Sequence, residues 1–234
     1  MRLFNWLRGS APQLDTASQR RLHALPRPTV DASNLRGQRW VVLDLETTGL
    51  NLQRDVVLSI GAVVIEDGAI DLSQQFERTL LRSDHKISPS VLIHGLGPSA
   101  IAAGSEPAQA LLDFMEFAAG SPLLAFHAGF DQHMLCRALK ESLDYRLPQR
   151  FIDVAEMAPL LCPQANLRNA GLDDWVAHFG LQVAARHHAS ADALVTAELA
   201  LILFSRARQQ GLDSPQALEQ KLAQWRRRQQ APSF

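Results

Sequence analysis

The stretch Trp40-Val41-Val42-Leu43-Asp44-Leu45-Glu46-Thr47-Thr48-Gly49 decides how the chain is read. Trp40 to Leu45 is rich in apolar and β-branched residues, which predicts a buried strand. Asp44 and Glu46 are two residues apart, so a regular strand turns both to one face. An unpaired carboxylate is costly to bury, and two on one face repel each other. A hard divalent cation offsets both costs. Hydration at a strand end that reaches solvent offsets them too, and these residues alone leave both readings open. Thr47-Thr48-Gly49 add hydroxyls, amides and a flexible turn beside the acids, a setting suited to a phosphate or a sugar.

Working outward, Val56 to Ile65 and Ile70 to Leu80 predict two further strands around the turn Glu66-Asp67-Gly68, an antiparallel hairpin. Pro107 to Ala119 predicts a helix, Pro122 to Phe126 a short strand and Phe130 to Ser142 a helix with Met134, Leu135 and Leu139 on one face. Phe151 to Val154 predicts a fifth strand. Helices are expected over Val154 to Leu161, Leu172 to Phe179, Ala189 to Arg208 and from Pro215 to about Gln230. Three strands, then alternating helices and strands, then helices, make an α/β fold: a mixed five-stranded sheet flanked by helices in three layers. Before Arg39 the text differs. Leu3, Phe4 and Leu7 share a helical face with Trp6 nearby, and residues 1–37 read as an accessory segment whose docking site is the main domain, a partner or a membrane surface, the first being the commonest outcome.

The 234 residues are 47% apolar and 20% charged, which provides for a core and excludes a disordered chain. The uncharged stretch Ile87 to Ser105 is broken by two prolines and three glycines, so no membrane span is expected. Cys136 and Cys162 match neither a disulfide framework nor a metal spacing. Met1 to Arg8 lacks a long apolar core, no secretory signal is evident, and the expected compartment is the cytoplasm. The net charge of −1 hides an asymmetry of +5 over residues 1–40, −10 over 41–204 and +4 over 205–234. An acidic body with basic arms suits an enzyme that holds cations and guides a polyanion, though basic ends also merely solubilise a chain.

Two more acids sit at the starts of predicted helices, Asp131 after Phe130 and Asp192 after His187-His188. Each alone reads as a helix-dipole acid. Together with Asp44 and Glu46 they gather near the carboxyl edge of one sheet, where ligands of open α/β folds bind. Val-Val-Leu-Asp44-Leu-Glu46-Thr-Thr-Gly49-Leu resembles the first motif of the DnaQ-like 3′→5′ exonucleases of the DEDDh type, the class of the proofreading ε subunits of bacterial DNA polymerase III. His127-Ala-Gly-Phe130-Asp131 is similar to their second motif. His187-His-Ala-Ser-Ala-Asp192 is similar to their third, with histidine five residues before aspartate. Ile93-His94-Gly95-Leu96 also resembles a family segment. The resemblance covers about residues 38–205.

The resemblance implies an RNase H-like fold and two-metal phosphodiester hydrolysis, with Mg²⁺ expected and Mn²⁺ as a substitute. It implies Asp44, Glu46, Asp131 and Asp192 as ligands and His187 as general base, with His188 the competing assignment. It places Thr47, Thr48, Gly49, His94 and Phe130 at the substrate. The expected substrate is the 3′ end of single-stranded or mismatched DNA, in proofreading or repair, with a DNA polymerase or another protein as a possible partner. An exoribonuclease that trims RNA ends and a non-catalytic nucleic-acid-binding module are the alternatives. His127 and Gly97 stand where asparagine and threonine are common in the family. The expected division is an accessory segment 1–37, a nuclease domain 38–208 and a basic C-terminal helix 209–234, in which Arg226-Arg227-Arg228 beside Trp225 is a candidate phosphate-contacting cluster.

Overall fold

A computed structural model describes residues 14–28, 34–82, 96–167, 169–183 and 187–230. Leu3, Phe4, Trp6, Leu7 and His94 lie outside them. The elements are α1 (Thr16–Ala24), β1 (Trp40–Thr47), β2 (Val57–Glu66), β3 (Ala69–Thr79), α2 (Pro98–Ala102), α3 (Pro107–Ala118), β4 (Leu123–Ala125), α4 (Ala128–Leu143), β5 (Phe151–Asp153), α5 (Val154–Leu161), α6 (Leu172–Phe179), α7 (Ala189–Gln209) and α8 (Pro215–Gln230), with a 3₁₀ turn at Pro163–Ala165.

The strands form one mixed sheet in the order β3-β2-β1-β4-β5. β1 pairs antiparallel with β2, and β2 with β3. β4 joins β1 in parallel, and β5 joins β4 in parallel. The mixed five-stranded sheet expected from the sequence is the one observed. Glu106 caps α3 through its carboxylate, and Pro107 opens that helix at the position where its missing N–H costs nothing.

Two apolar layers cover the sheet. Val41, Leu43 and Leu45 of β1 pack with Leu111, Phe114 and Met115 of α3 and with Met134, Leu135 and Leu139 of α4. Trp40 and Val42, one step out of phase, pack with Met157 of α5, Leu199, Leu203 and Phe204 of α7, and Leu218 and Leu222 of α8. The period of two assigns alternate residues of β1 to opposite layers. On the second face the Trp40 and Phe204 rings lie 5.0 Å apart, and the Trp40 indole donates to the Leu35 carbonyl at 3.1 Å.

The sequence reading did not identify α1, and the reason is visible. No residue of α1 is buried. It is capped by Asp15, which accepts from Ser18 N at 2.6 Å, and tied to α3 by Arg21, which reaches Asp113 at 2.6 Å and Glu116 at 2.8 Å. Leu22, with the flanking Leu14 and Leu25, also packs partly buried against the first layer, but one leucine in a nine-residue helix makes no apolar stripe to read.

Candidate active site

Asp44 and Glu46 continue the series Trp40, Val42 and so face the layer of α7. In the register of β1 and β2, Asp44 stands opposite Gly61 and Glu46 opposite Ser59. Gly61 lets α7 approach. A Cβ there would stand 2.1 Å from the Ala189 carbonyl carbon and 2.2 Å from the Ser190 nitrogen, distances no side chain tolerates. The first turn of α7 thus lies directly on β2, beside the acids of β1. Glycine inside a β-branched strand weakens it and marks such close approaches. Gly61 in Leu-Ser-Ile-Gly-Ala-Val was the signal for this contact, and the motif reading passed over it.

α7 carries Asp192 in its first turn. The helix is entered through His187 in the left-handed region (φ 61°) and His188 as the extended N-cap. His187 N donates to Asp192 Oδ2 at 3.1 Å, and Asp192 N donates to the His188 carbonyl at 2.9 Å. Asp44, Glu46 and Asp192 each offer a carboxylate oxygen, and these oxygens lie within 4.8 Å of one another. Glu46 and Asp192 are buried and Asp44 is half-buried. Three carboxylates gathered this closely, and supplying only oxygen donors, fit a hard divalent cation such as Mg²⁺ or Mn²⁺.

Asp131 arrives from the opposite layer. β1 is paired with β4 only at Val41–Leu123 and Val42–Leu124. It then runs on to Thr47 beyond the end of β4, and α4 begins there after His127 in the left-handed region (φ 60°). Asp131, in the first turn of α4, is buried. Burial pushes its carboxyl up to about 8, against the pull of the backbone amides of Asp131 and Leu45; the charges of Asp153 and Glu46 push the same way as burial. Asp131 is not one of the three acids whose oxygens gather within 4.8 Å; it feels the charge of Glu46 from the start of α4. Asp153, at the end of β5, accepts from His127 N at 3.1 Å and Ala155 N at 2.9 Å. Burial raises its carboxyl too. α4 and α7 both direct a positive helix end at this acidic spot, which partly offsets the repulsion.

The two histidines differ in surroundings. His187 is exposed beside the cluster. His188 is half-buried, with Nδ1 3.1 Å from Ser190 Oγ and Nε2 3.3 Å from Glu77 Oε1 on β3. The hydroxyls expected at the substrate are committed within their own turn. Thr47 donates to the Gly49 carbonyl at 2.8 Å, and Thr48 donates to Asp55 Oδ1 at 2.9 Å while accepting from Val56 N at 3.0 Å. The turn is therefore rigid, and Asp55, also bonded to Asn51 N at 2.7 Å, is its hub. Phe130 is half-buried against the α3–α4 layer. His127 is exposed, and Gly97 caps α2.

Residues 41–200 match the RNase T family of exonucleases. The chain is 30% identical over 188 residues to the PolC-type DNA polymerase III of Thermotoga petrophila, covering 80% of this chain and 13% of that polymerase. It is 30% identical over 174 residues to the DNA polymerase III subunit epsilon of Treponema pallidum, covering 74% of this chain and 80% of that subunit. Among solved structures, E. coli exonuclease I in complex with a dT13 oligonucleotide superposes with a TM-score of 0.62 at 15% identity, covering 74% of this chain and 42% of that one. Cell-death related nuclease 4 does so with a TM-score of 0.64 at 12% identity, covering 73% and 64%. These likenesses establish a common fold.

Proposed function

The chain belongs to the RNase T exonuclease family, and from that premise we propose that it removes nucleotides from the 3′ end of single-stranded or mismatched DNA by two-metal hydrolysis. The observation that carries the proposal is the gathering of Asp44, Glu46 and Asp192, three sequence-distant acids, within 4.8 Å. When bound, a pair of divalent cations supplies a nucleophile at neutral pH and stabilises the charge on the departing 3′-oxygen.

The residues divide the remaining work. Asp44, Glu46 and Asp192 would hold the cations through their carboxylate oxygens, and Asp131 would assist from the start of α4. His187, exposed beside the cluster with its backbone N–H bonded to Asp192, takes the proton of the attacking water and passes it to solvent. The bond from phosphorus to the 3′-oxygen of the preceding nucleotide breaks. A nucleoside 5′-monophosphate leaves, and the shortened strand keeps a 3′-hydroxyl. The rigid Thr47–Gly49 turn borders the terminal nucleotide, together with Phe130 and His94. A DNA polymerase is the proposed partner, on the names of the relatives, and co-purification tests it. Residues 1–37 and 209–234 are proposed as additions to a nuclease domain at 38–208.

The test is a 5′-labelled DNA oligonucleotide with a mismatched 3′ end, beside RNA of the same sequence, with Mg²⁺ or with chelator. The expected result is a Mg²⁺-dependent ladder from the 3′ end, faster on DNA, that falls to background in Asp44→Ala. A faster ladder on RNA would reassign the substrate. No cleavage of either strand by folded protein would make the chain a binding module.

A further inference from the structure

Outside the acidic cluster, a concavity with chemistry of its own lies at the β5 edge of the sheet. A cleft of about 410 Å³ runs between β5, the start of α4 and α8. Phe151, Ile152 and Leu222 give it apolar walls, and Gln132, Gln149, Arg150, Glu219 and Arg226 give it polar ones, with Arg150 paired to Glu219 at 2.6 Å. Gln149 is buried, and its Oε1 is the sole buried side-chain polar atom without a partner among the described residues. A buried acceptor without a donor is costly, so a group that donates to it is favoured there.

The cleft adjoins the cluster. Gln132, which follows Asp131, lines one end, and Ile152 precedes Asp153. Arg226 binds Glu156 with Nε at 2.6 Å and Nη2 at 2.5 Å, and it also feels the charge of Asp153. The basic turn of α8 is therefore carried to the active-site end of β5. α8 holds four basic residues and one acid, and Arg226, Arg227 and Arg228 are exposed. This is a cationic edge on a body of charge −10 over residues 41–204.

We propose that this cleft and the arginine turn of α8 hold the nucleic-acid strand on the 5′ side of the bond being cut. The proposal rests on the hydrolytic function above. A polyanion whose last phosphate lies among carboxylates must leave over a surface that favours it, and α8 is that surface. Unstacked bases lie against Phe151 and Leu222, and an exocyclic amino group of a base supplies the donor that Gln149 Oε1 lacks.

The test uses the full chain, wild type against Arg226→Gln/Arg227→Gln/Arg228→Gln, and a Gln149→Leu variant, each checked for folding by thermal melting. Binding of a fluorescent dodecanucleotide is measured by anisotropy in chelator at several salt concentrations, and hydrolysis of the same strand with Mg²⁺. In the triple variant the slope of log affinity against log salt should shrink by about two, with KM raised on the order of tenfold and kcat kept. Gln149→Leu should weaken binding by about three- to tenfold with the slope unchanged. A triple variant with the wild-type salt slope would overturn the proposal. So would poly-glutamate competing as well as the oligonucleotide, which would assign the edge to an acidic protein. Loss of all hydrolysis by the wild type, with this binding pattern intact, would overturn the nuclease function and leave the strand-binding edge standing.

Discussion

Asp131 bears the sharpest conflict between folding and chemistry in the chain. Its carboxyl is buried and pushed up to about 8, from an ordinary value of 3.8. In the metal-free protein the folded state therefore holds a proton that the unfolded state has released. The contribution of Asp131 to stability is full below about pH 4 and is lost as the pH rises toward 8. Asp131→Asn should flatten this dependence and raise the melting temperature of metal-free protein at pH 8, while hydrolysis falls to background. A variant that melts below the wild type at pH 8 would remove Asp131 from the buried site. At the α7 entrance, His187→Ala should lower kcat by on the order of 10²–10⁴. His188→Ala should change it little, because that ring is engaged by Glu77 and Ser190; single-turnover rates decide the ranking, and the reverse order would move the base to His188. The gathering of Asp44, Glu46 and Asp192 was legible through the resemblance of three motifs, since each acid alone reads as a hydrated strand end or a helix-dipole acid. The commitment of the Thr47 and Thr48 hydroxyls was not legible, since their acceptors are set by how the turn closes through Asp55.

Among the elements, strands and helices with strong periodicity were legible nearly to the residue. Val154–Leu161, Leu172–Phe179 and Pro215–Gln230 have the expected bounds, despite Pro159 inside the first. β4 is shorter than Pro122 to Phe126 implied, because only Leu123 and Leu124 find partners on both β1 and β5, and Ala125 on β5 alone. That early end leaves β1 open where Asp131 enters. The contact of β2 with α7 was illegible as a pairing, although Gly61 advertised it. Gly61→Ala must push the first turn of α7 off the sheet, at a cost of roughly 1–3 kcal/mol, and carry Asp192 away from Asp44 and Glu46. The expected outcome is a modest loss of melting temperature and a several-fold rise in the Mg²⁺ concentration that half-saturates hydrolysis. An unchanged Mg²⁺ requirement would show that the close approach does not seat Asp192.

For the whole molecule, the carboxylates of Asp44, Glu46 and Asp192 gathered within 4.8 Å offer a divalent cation a site that the unfolded chain does not reproduce. Mg²⁺ at a hundred times its dissociation constant should stabilise the fold by about 2.7 kcal/mol. The gain should grow from pH 6 to pH 8, as the cation displaces the proton on Asp131. Calorimetric scans with Mg²⁺ and with chelator check both statements, and no Mg²⁺ effect at either pH would reduce the cluster to an ordinary ion-pair network. The fold class was legible because strand order and helix alternation admit few topologies. The placement of α1 was not, since it depends on the Arg21 contacts across α3.

The acids of β1 and the acid of α7 come from opposite ends of the folded domain, and the close seat at Gly61 joins them only when α7 is in place. On a ribosome, β1 to β3 emerge long before residues 187–209, and domains fold as units during synthesis. A nascent chain halted before His187 therefore lacks Asp192, the seat for it and the proposed base. The proposed nuclease activity would thus be timed by vectorial synthesis, since the gathered acids exist only once α7 has closed on β2.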